Sequence, residues 1–234
     1  IFRMHVLTMH GIPHERWIKD ARNKRLTLFD RSMAWVEKRG LSGPSLRMVL
    51  PVSGLVKEEL LKAYPLEEPR MRVIHPGISE DRFASLDREA CRKKIRGRHH
   101  LSESDVVVLF VGMNFEIKRL DLVIRALGDL AYQKKGATSL RLLVVGKGDQ
   151  DPYLSLSKRP GVEKRIVFAG VTHEVEAYYL ASNIFVMPSV FDTFGMAVLE
   201  AMAAGLPVVI TPKVGARDLL TEGVQGFILG DSPR

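Results

Sequence analysis

The stretch FDTFGMAVLEAMAAGLPVVITP, Phe191–Pro212, places one carboxylate, Glu200, in a helix-forming segment that is otherwise apolar. Between Gly195 and Thr211 no other residue carries a charge. A carboxylate among apolar side chains is costly unless a polar partner lies beside it. Because a solvated helix face does not explain Glu200, the pattern indicates a site that binds a polar ligand with hydroxyl groups.

The chain around this stretch alternates short apolar segments with helix-forming segments. The alternation predicts a parallel sheet covered by helices on both faces, which is a doubly wound, Rossmann-like α/β domain. We expect strands at VVVLFVG, LRLLVVG, RIVFAG, IFVMPS, PVVIT and GFIL, and helices over Arg119–Ala131 and Glu174–Ala181, from Gly195, and near Ala216–Leu220.

Ligands of such sheets bind beyond the carboxyl ends of the strands. The loops that leave those ends are therefore expected to surround one crevice. They are Val111–Lys118, Gly146–Asp149, Gly170–Thr172 and Ser189–Gly195.

The first third of the chain has a different pattern. It predicts one long helix over His14–Lys38 with Gly40 as its stop, a strand at Leu46–Val52, a helix from the N-cap Ser53 to Ala63, and a second strand at Arg72–His75. The turn His75-Pro76-Gly77 then breaks the chain. We place a domain boundary there, between residues 1–76 and residues 77–234.

Composition bounds the class of protein. With 234 residues, 46% of them hydrophobic, the chain can bury one full core and part of another. A single cysteine, Cys91, excludes an internal disulfide and favours a reducing cytoplasm. No apolar run reaches the roughly 20 residues that a bilayer crossing needs. The start lacks both an initiator Met and a signal pattern, so we expect a fragment of a longer protein.

The net charge of +8 is concentrated near the start of the chain, which favours an anionic partner there. Anionic lipid headgroups at the inner face of the membrane and a phosphorylated acceptor are both compatible, and so is a merely solvated basic helix. Nucleic acid is not favoured, because no nucleic-acid-binding signature accompanies the charges. The basic residues are Arg3, Arg16, Lys19, Arg22, Lys24, Arg25, Arg31, Lys38, Arg39 and Arg47.

Two features suit a phosphorylated ligand. The predicted helix start at Thr193-Phe194-Gly195-Met196 offers free amide groups that attract phosphate, although Gly195 is equally compatible with a plain turn. Lys118 lies at another strand-to-helix crossing on the same edge, where it could neutralise a diphosphate leaving group or be an ordinary surface lysine.

These residues carry a resemblance to a known family. Asp192, seven intervening residues and Glu200 resemble the E-x7-E signature of retaining glycosyltransferase family 4, which has the GT-B fold. RVIHPGISEDRF, VGMNFEIKRLDLVIRAL and TPKVGARDLL resemble colinear segments of that family. Within it, the chain is similar to bacterial lipopolysaccharide-core glucosyltransferases. The resemblance implies an acceptor-side domain, incomplete here, over residues 1–76 and a donor domain over residues 77–234 that lacks its final helices.

The resemblance also implies a role for each matched residue. Glu200 would hold the nucleotide ribose, the amides of Gly195 and Met196 would hold the distal phosphate, and Lys118 would balance its charge. Asp192 would lie beside the donor sugar, with Thr193 and Phe194 in the same donor-binding segment. Backbone groups near Val171 and Thr172 would contact the base.

This chain departs from the family pattern in three places. Asp192 stands where the family usually has Glu, so its carboxylate reaches one methylene less far. The arginine that usually precedes the lysine is absent, and Arg119 is the candidate to compensate for it. The usual glycine pair is Gly215-Ala216.

The resemblance implies transfer of a hexose from a nucleoside diphosphate sugar, UDP-glucose being the expected donor, to a cell-envelope glycan or a lipid-linked acceptor. We expect the fragment alone to be inactive. No metal or other cofactor is expected, since no aspartate pair is spaced for one and Gly11 and Pro13 interrupt any helix that would align His10 with His14. A GT-B sugar-nucleotide epimerase and a non-catalytic nucleotide-sugar binding module remain alternatives.

Overall fold

The computed structural model describes residues 4–79, 81–133, 139–157 and 162–230. The contacts divide the chain into two compact units. The first comprises Ile1–Gly77 together with Val190–Gly195 and Lys213–Asp218, and the second comprises Ile78–Ser189, Met196–Pro212 and Leu219–Arg234. The sequence suggests a domain boundary between residues 76 and 77. The compact units do not test this boundary, because two short stretches from late in the chain belong to the first unit.

The first unit contains a parallel pair of strands, β1 (Val6–Met9) and β2 (Met48–Pro51). Between them lie α1 (His14–Arg16), which continues into a π-helical turn at Trp17–Ala21, and α2 (Leu28–Leu41). After β2 comes α3 (Gly54–Ala63). As expected, Ser53 is the N-cap of α3, and its Oγ accepts a hydrogen bond from the amide of Val56 at 3.2 Å.

The prediction of one helix over His14–Lys38 is wrong. Asn23 adopts a left-handed conformation with φ of 49°, which ends the first helical segment. A second helix then begins after Thr27, whose side chain accepts from the Asp30 amide while the Asp30 carboxylate accepts from the Thr27 amide. This capping box satisfies amide groups that a continuous helix would have bonded internally, and it fixes the start of α2. The helix also passes Gly40 and ends at Leu41.

The strand predicted at Arg72–His75 is also wrong. Only Met71 forms a bridge, to Val49 of β2. The amides of Arg72 and Ile74 donate to the carbonyls of Val49 and Pro51, at 3.1 and 2.9 Å. Proline has no amide hydrogen to return to a neighbouring strand. Pro51 therefore limits regular pairing along this side of β2.

The second unit is built on a six-stranded parallel sheet. Before the sheet come two helices, α4 (Asp81–Ala84) and α5 (Arg88–Arg98). The strands are β3 (Val106–Val111), β4 (Leu140–Val145), β5 (Ile166–Gly170), β6 (Ile184–Met187), β7 (Val208–Ile210) and β8 (Gly226–Ile228). The intervening helices are α6 (Leu120–Gln133), α7 (Asp151–Ser157), α8 (Val175–Ala181) and α9 (Met196–Ala203), with a 3-10 turn at Gly215–Leu219.

The strand order β5-β4-β3-β6-β7-β8 confirms the predicted doubly wound α/β class. The chain builds outward from β3 to β5 and then returns to the other side of β3 with β6. This reversal puts the topological switch point between β3 and β6, where ligands of such sheets bind. Phe110, Phe115, Leu120 and Ile124 are buried in one cluster between α6 and the sheet, which anchors the segment that follows β3.

None of the helices in the described ranges combines the length and the apolar composition that a membrane crossing requires.

Candidate functional site

Glu200 lies on α9, where its side chain is 14% exposed. Sequence reasoning gave this carboxylate no partner within the protein, and the structure supplies two. Nη1 of Arg82 donates to Oε1 at 2.7 Å, and the hydroxyl of Tyr179 donates to Oε2 at 2.8 Å. The cost of partial burial is therefore offset by a cation and a hydroxyl donor, and the carboxylate is held by both oxygens.

Tyr179 is a strong structural partner because it is fully buried. Its ring packs against Phe83 and Phe185, with centroid distances of 6.2 and 5.9 Å. Burial raises the pKa of the phenol well above its ordinary value, and the negative charge of Glu200 raises it further. Tyr179 is thus a hydrogen-bond donor to Glu200 throughout the physiological range.

The turn before α9 has the geometry that the sequence suggests. Gly195 is buried and has φ of 90°, a conformation that favours glycine, and the helix begins at Met196. The chain passes between the two units at this peptide, since Gly195 belongs to the first and Met196 to the second. The buried Phe194 donates its amide to Oδ1 of Asp192 at 3.2 Å.

Within the first unit, the two stretches that follow β6 and β7 in the chain are paired with each other. The amide of Asp192 donates to the carbonyl of Lys213 at 2.8 Å, and the amide of Gly215 donates to the carbonyl of Asp192 at 3.0 Å. Oγ of Ser53 donates to the carbonyl of Thr193 at 2.6 Å. These bonds fix the backbone on both sides of the Asp192 side chain.

Lys118 belongs to the second unit and follows β3 in the turn that leads to α6. Its aliphatic stem packs over Gly112, where an added Cβ would lie 3.3 Å from Cγ of Lys118. Its Nζ lies 3.5 Å from Sδ of Met187, the last residue of β6. The ammonium group therefore lies at the carboxyl ends of β3 and β6. These are the two strands that flank the topological switch point.

The remaining predicted residues have different environments. Nε of Arg119 pairs with Oδ1 of Asp121 at 3.0 Å. Arg119 is the candidate to compensate for the missing arginine, and its guanidinium forms an ion pair within the protein. Val171 is 66% exposed beyond β5, whereas the hydroxyl of Thr172 accepts from the amide of Glu174 at 3.1 Å. Val171 is thus accessible to a ligand.

The predicted site residues fall into two groups. Asp192, Thr193, Phe194 and Gly195 lie in the first unit, and Lys118, Arg119, Val171, Thr172, Met196 and Glu200 lie in the second. Within the described residues, no cluster of three or more His, Cys, Asp or Glu side chains could hold a metal ion.

Sequence reasoning missed Arg82 and Tyr179, the two partners of Glu200. It placed Ser189 only at the start of the crevice loop Ser189–Gly195, and the structure shows that Ser189 follows β6 and is 1% exposed. Among the described residues, Oγ of Ser189 has no hydrogen-bond partner. Arg82 stands in the quoted segment RVIHPGISEDRF, but spacing along the chain carries no signal that it pairs with a residue 118 positions away.

Comparison with known proteins identifies the family. Residues 105–234 match the family described as glycosyl transferases group 1, which is more than half of the chain. The chain belongs to the group 1 glycosyltransferases. Its switch-point geometry and its carboxylate-bearing α9 are thus features of a group 1 glycosyltransferase.

Two curated relatives show how much of such a protein this group 1 chain covers. It is 32% identical over 185 residues to an uncharacterized glycosyltransferase of Methanocaldococcus jannaschii, a match that covers 76% of this chain and 46% of the relative. It is 27% identical over 183 residues to the D-inositol 3-phosphate glycosyltransferase of Streptomyces avermitilis, covering 74% and 38%. The chain matches less than half the length of both relatives.

Solved structures agree on the fold of this group 1 glycosyltransferase chain. WaaG, a glycosyltransferase involved in lipopolysaccharide biosynthesis, superposes with a TM-score of 0.78 at 22% identity, over 97% of this chain and 62% of WaaG. Anabaena HepE, solved in complex with UDP-glucose, superposes with a TM-score of 0.73 at 21% identity, over 96% and 57%. These matches confirm the GT-B glycosyltransferase fold predicted from the sequence.

Proposed function

We propose that the protein is a retaining glycosyltransferase that moves a hexose from a nucleoside diphosphate sugar, UDP-glucose in the first instance, to a cell-envelope glycan or a lipid-linked acceptor. Glu200 carries this proposal. Its carboxylate is fixed at both oxygens and stands little more than one helical turn after the Gly195 turn, in the chain segment that follows β6. The resemblance to the family supports binding of the vicinal ribose hydroxyls by a carboxylate at this position.

The second unit is assigned the nucleotide. Glu200 accepts hydrogen bonds from the ribose hydroxyls, the amide of Met196 binds the distal phosphate, and Lys118 balances the charge of the diphosphate. The backbone near Val171 and Thr172 contacts the base. Exposure of Val171 and the position of Nζ of Lys118 beside β3 and β6 support these assignments.

The first unit is assigned the sugar and its phosphate. Asp192 orients sugar hydroxyls and stabilises positive charge near the anomeric carbon, the amide of Gly195 binds the distal phosphate, and Thr193 and Phe194 position that segment. The hydrogen bonds that fix the backbone at Asp192 and Thr193 support this assignment, because catalysis by positioning requires fixed groups.

In the proposed reaction the acceptor oxygen attacks the anomeric carbon on the face that the diphosphate leaves. The bond from the anomeric carbon to the phosphate oxygen breaks and the new glycosidic bond forms. The departing phosphate oxygen accepts the proton of the acceptor hydroxyl. Lys118 and the amides at the α9 start stabilise the negative charge that develops on the diphosphate.

We also propose that α2 contacts an anionic membrane surface, at the cytoplasmic face. Leu28, Phe29 and Trp35 are 84%, 67% and 60% exposed on this helix. Its lysine and arginine side chains, Arg31, Lys38 and Arg39, are exposed as well. Exposed large apolar side chains among basic residues are typical of helices that lie at the interface of anionic bilayers. Arg3, at the start of the basic region, lies outside the described residues.

Incubation of the full-length protein with UDP-glucose and an acceptor extract tests the proposed reaction. Transfer of labelled glucose with retained anomeric configuration is the expected result, and Asp192→Asn is expected to reduce it. Asp129→Asn, an exposed change of the same kind on α6, is the matched control and should leave transfer unchanged. Isomerisation of the sugar ring would instead indicate an epimerase, and binding without turnover would indicate a non-catalytic module.

A further inference from the structure

Glu200 is held in a way that leaves acceptor capacity. Its Oε1 accepts from Nη1 of Arg82 and its Oε2 accepts from the hydroxyl of Tyr179. Each carboxylate oxygen has two lone pairs, so each keeps one for a ligand. Two remaining acceptor positions on one fixed carboxylate match the two adjacent hydroxyls of a ribose. The protein bonds and the ribose bonds are therefore compatible at the same time.

Arg82 is itself held from a second side. Its Nε donates to Oε1 of Glu176 at 2.8 Å, so one guanidinium bridges the carboxylates of Glu176 and Glu200. Burial lowers the pKa of Arg82, but hydrogen bonds and charge from Glu176 and Glu200 outweigh it and raise the pKa overall. The guanidinium is thus a permanent charge in a planar fork of fixed geometry, which a flexible lysine ammonium does not reproduce.

The backbone that carries Arg82 is anchored to the same group of residues. Arg82 lies in the single turn α4, and its amide donates to the carbonyl of Ser79 at 3.2 Å. The next residue, Phe83, packs edge-to-face on Tyr179. One short helix therefore brings a cation to Glu200 and an aromatic ring to the other partner of Glu200.

We propose that Arg82 is a positioning residue that holds the Glu200 carboxylate in the orientation that binds the ribose hydroxyls of the donor. The proposal rests on the proposed function of Glu200. Arg82 acts through Glu200 and does not itself contact the donor. A carboxylate fixed before binding loses less conformational freedom on binding, so the clamp strengthens the contact with the ribose. The contrary role, in which Arg82 competes with the ribose for Glu200, predicts tighter binding when Arg82 is removed.

The test compares ribose with 2′-deoxyribose. Calorimetric titrations with UDP, GDP and ADP, each beside its 2′-deoxy form, are run on full-length wild type and on Arg82→Met, Arg82→Lys and Arg88→Met. Arg88 donates to the carbonyl of Ala204 just beyond the end of α9 and, within the described part of the chain, forms no hydrogen bond with Glu200, so Arg88→Met is the matched control. The quantity of interest is the ratio of the two dissociation constants, which reports the contact with the 2′-hydroxyl and not the stability of the fold.

For the nucleotide that binds, wild type and Arg88→Met are expected to prefer the ribose form by about ten-fold or more, the size of one hydrogen bond to a charged group. Arg82→Met is expected to weaken binding of the ribose form and reduce the preference to about three-fold or less, with partial recovery in Arg82→Lys. If Arg82→Met keeps the wild-type preference for the ribose form, or binds the ribose nucleotide more tightly than wild type does, the positioning role of Arg82 is overturned while the proposed function of Glu200 stands. Wild type that binds none of the three nucleotides, or does not distinguish the two sugars, overturns the proposed function as well.

Should Arg82→Met fail to fold, Glu176→Gln answers the same question. It removes the charge that holds Arg82 from its other side while keeping the shape of the side chain. A lowered ribose preference is expected. An unchanged preference in both Glu176→Gln and Arg82→Lys overturns the proposal.

Discussion

Gly215 lies so close to Thr193 that a Cβ built on Gly215 would be 2.2 Å from the Thr193 carbonyl oxygen. The same Cβ would lie 2.6 Å from Oγ of Ser53, which donates to that carbonyl. The glycine that remains of the family's usual pair is thus required by packing in the first unit. Its neighbour Ala216 already carries a Cβ, and its amide donates to the carbonyl of Phe194 at 2.6 Å.

Gly215→Ala is therefore expected to destabilise the protein. Backbone atoms meet the new methyl group, and the cost of such overpacking is at least about 2 kcal/mol in the free energy of unfolding. Urea denaturation measures it. Gly97→Ala is the matched control, since Gly97 lies in α5 with open space around its Cβ position, and there a gain of about 0.5 kcal/mol is expected. Equal stability of the Gly215→Ala protein and wild type would refute the packing argument.

Ser189→Ala is expected to raise the free energy of unfolding by about 1 kcal/mol. It removes a buried hydroxyl that has no hydrogen-bond partner among the described residues. Ser182→Ala is the control, because the buried Ser182 hydroxyl donates to the carbonyl of Tyr178 at 2.8 Å, and its loss should cost about 1 kcal/mol. Thermal unfolding of the two variants measures both changes in stability. A Ser189→Ala protein less stable than wild type would show that the Ser189 hydroxyl has a hydrogen-bond partner in solution.

The capping box of α2 predicts a pH dependence. Hydrogen bonds from the side chain and backbone of Thr27, and from His14, lower the pKa of Asp30 to about 2. Since this value lies below that of the unfolded chain, ionised Asp30 stabilises the fold above about pH 4, and the contribution is lost as the pH falls towards 2. Wild type should exceed Asp30→Asn in stability at neutral pH, with a difference that shrinks over that window in acid denaturation. A difference independent of pH would argue against the cap.

The exposed face of α2 predicts membrane binding. Replacing Leu28 and Phe29 by Ser is expected to weaken binding to vesicles that contain phosphatidylglycerol about ten-fold, because each side chain buries apolar area in the interface. Val224→Ser is the control, since Val224 is similarly exposed but lies in the second unit. Sedimentation of vesicles measures binding. Equal binding to neutral phosphatidylcholine vesicles, or loss of binding in the control alone, would contradict the proposal.

The sequence predicts the second unit better than the first. Nearly continuous apolar runs such as VVVLFVG and LRLLVVG are typical of buried parallel strands, and β3 and β4 lie where those runs predict. Helical periodicity continues through Asn23–Thr27, however, so the break between α1 and α2 is set by local capping that periodicity does not register. The partners of Glu200 were missed for another reason: Arg82 and Tyr179 reach it only through the tertiary fold.

The central claim is that the Glu200 carboxylate binds the ribose of a nucleoside diphosphate. Calorimetric titration of UDP into full-length wild type and Glu200→Ala tests it directly. Loss of hydrogen bonds to a charged acceptor is expected to weaken binding by roughly 1 to 3 kcal/mol. Glu222→Ala, a change at an exposed glutamate, should bind UDP as wild type does. Unchanged affinity in a Glu200→Ala protein that still unfolds cooperatively would contradict the claim.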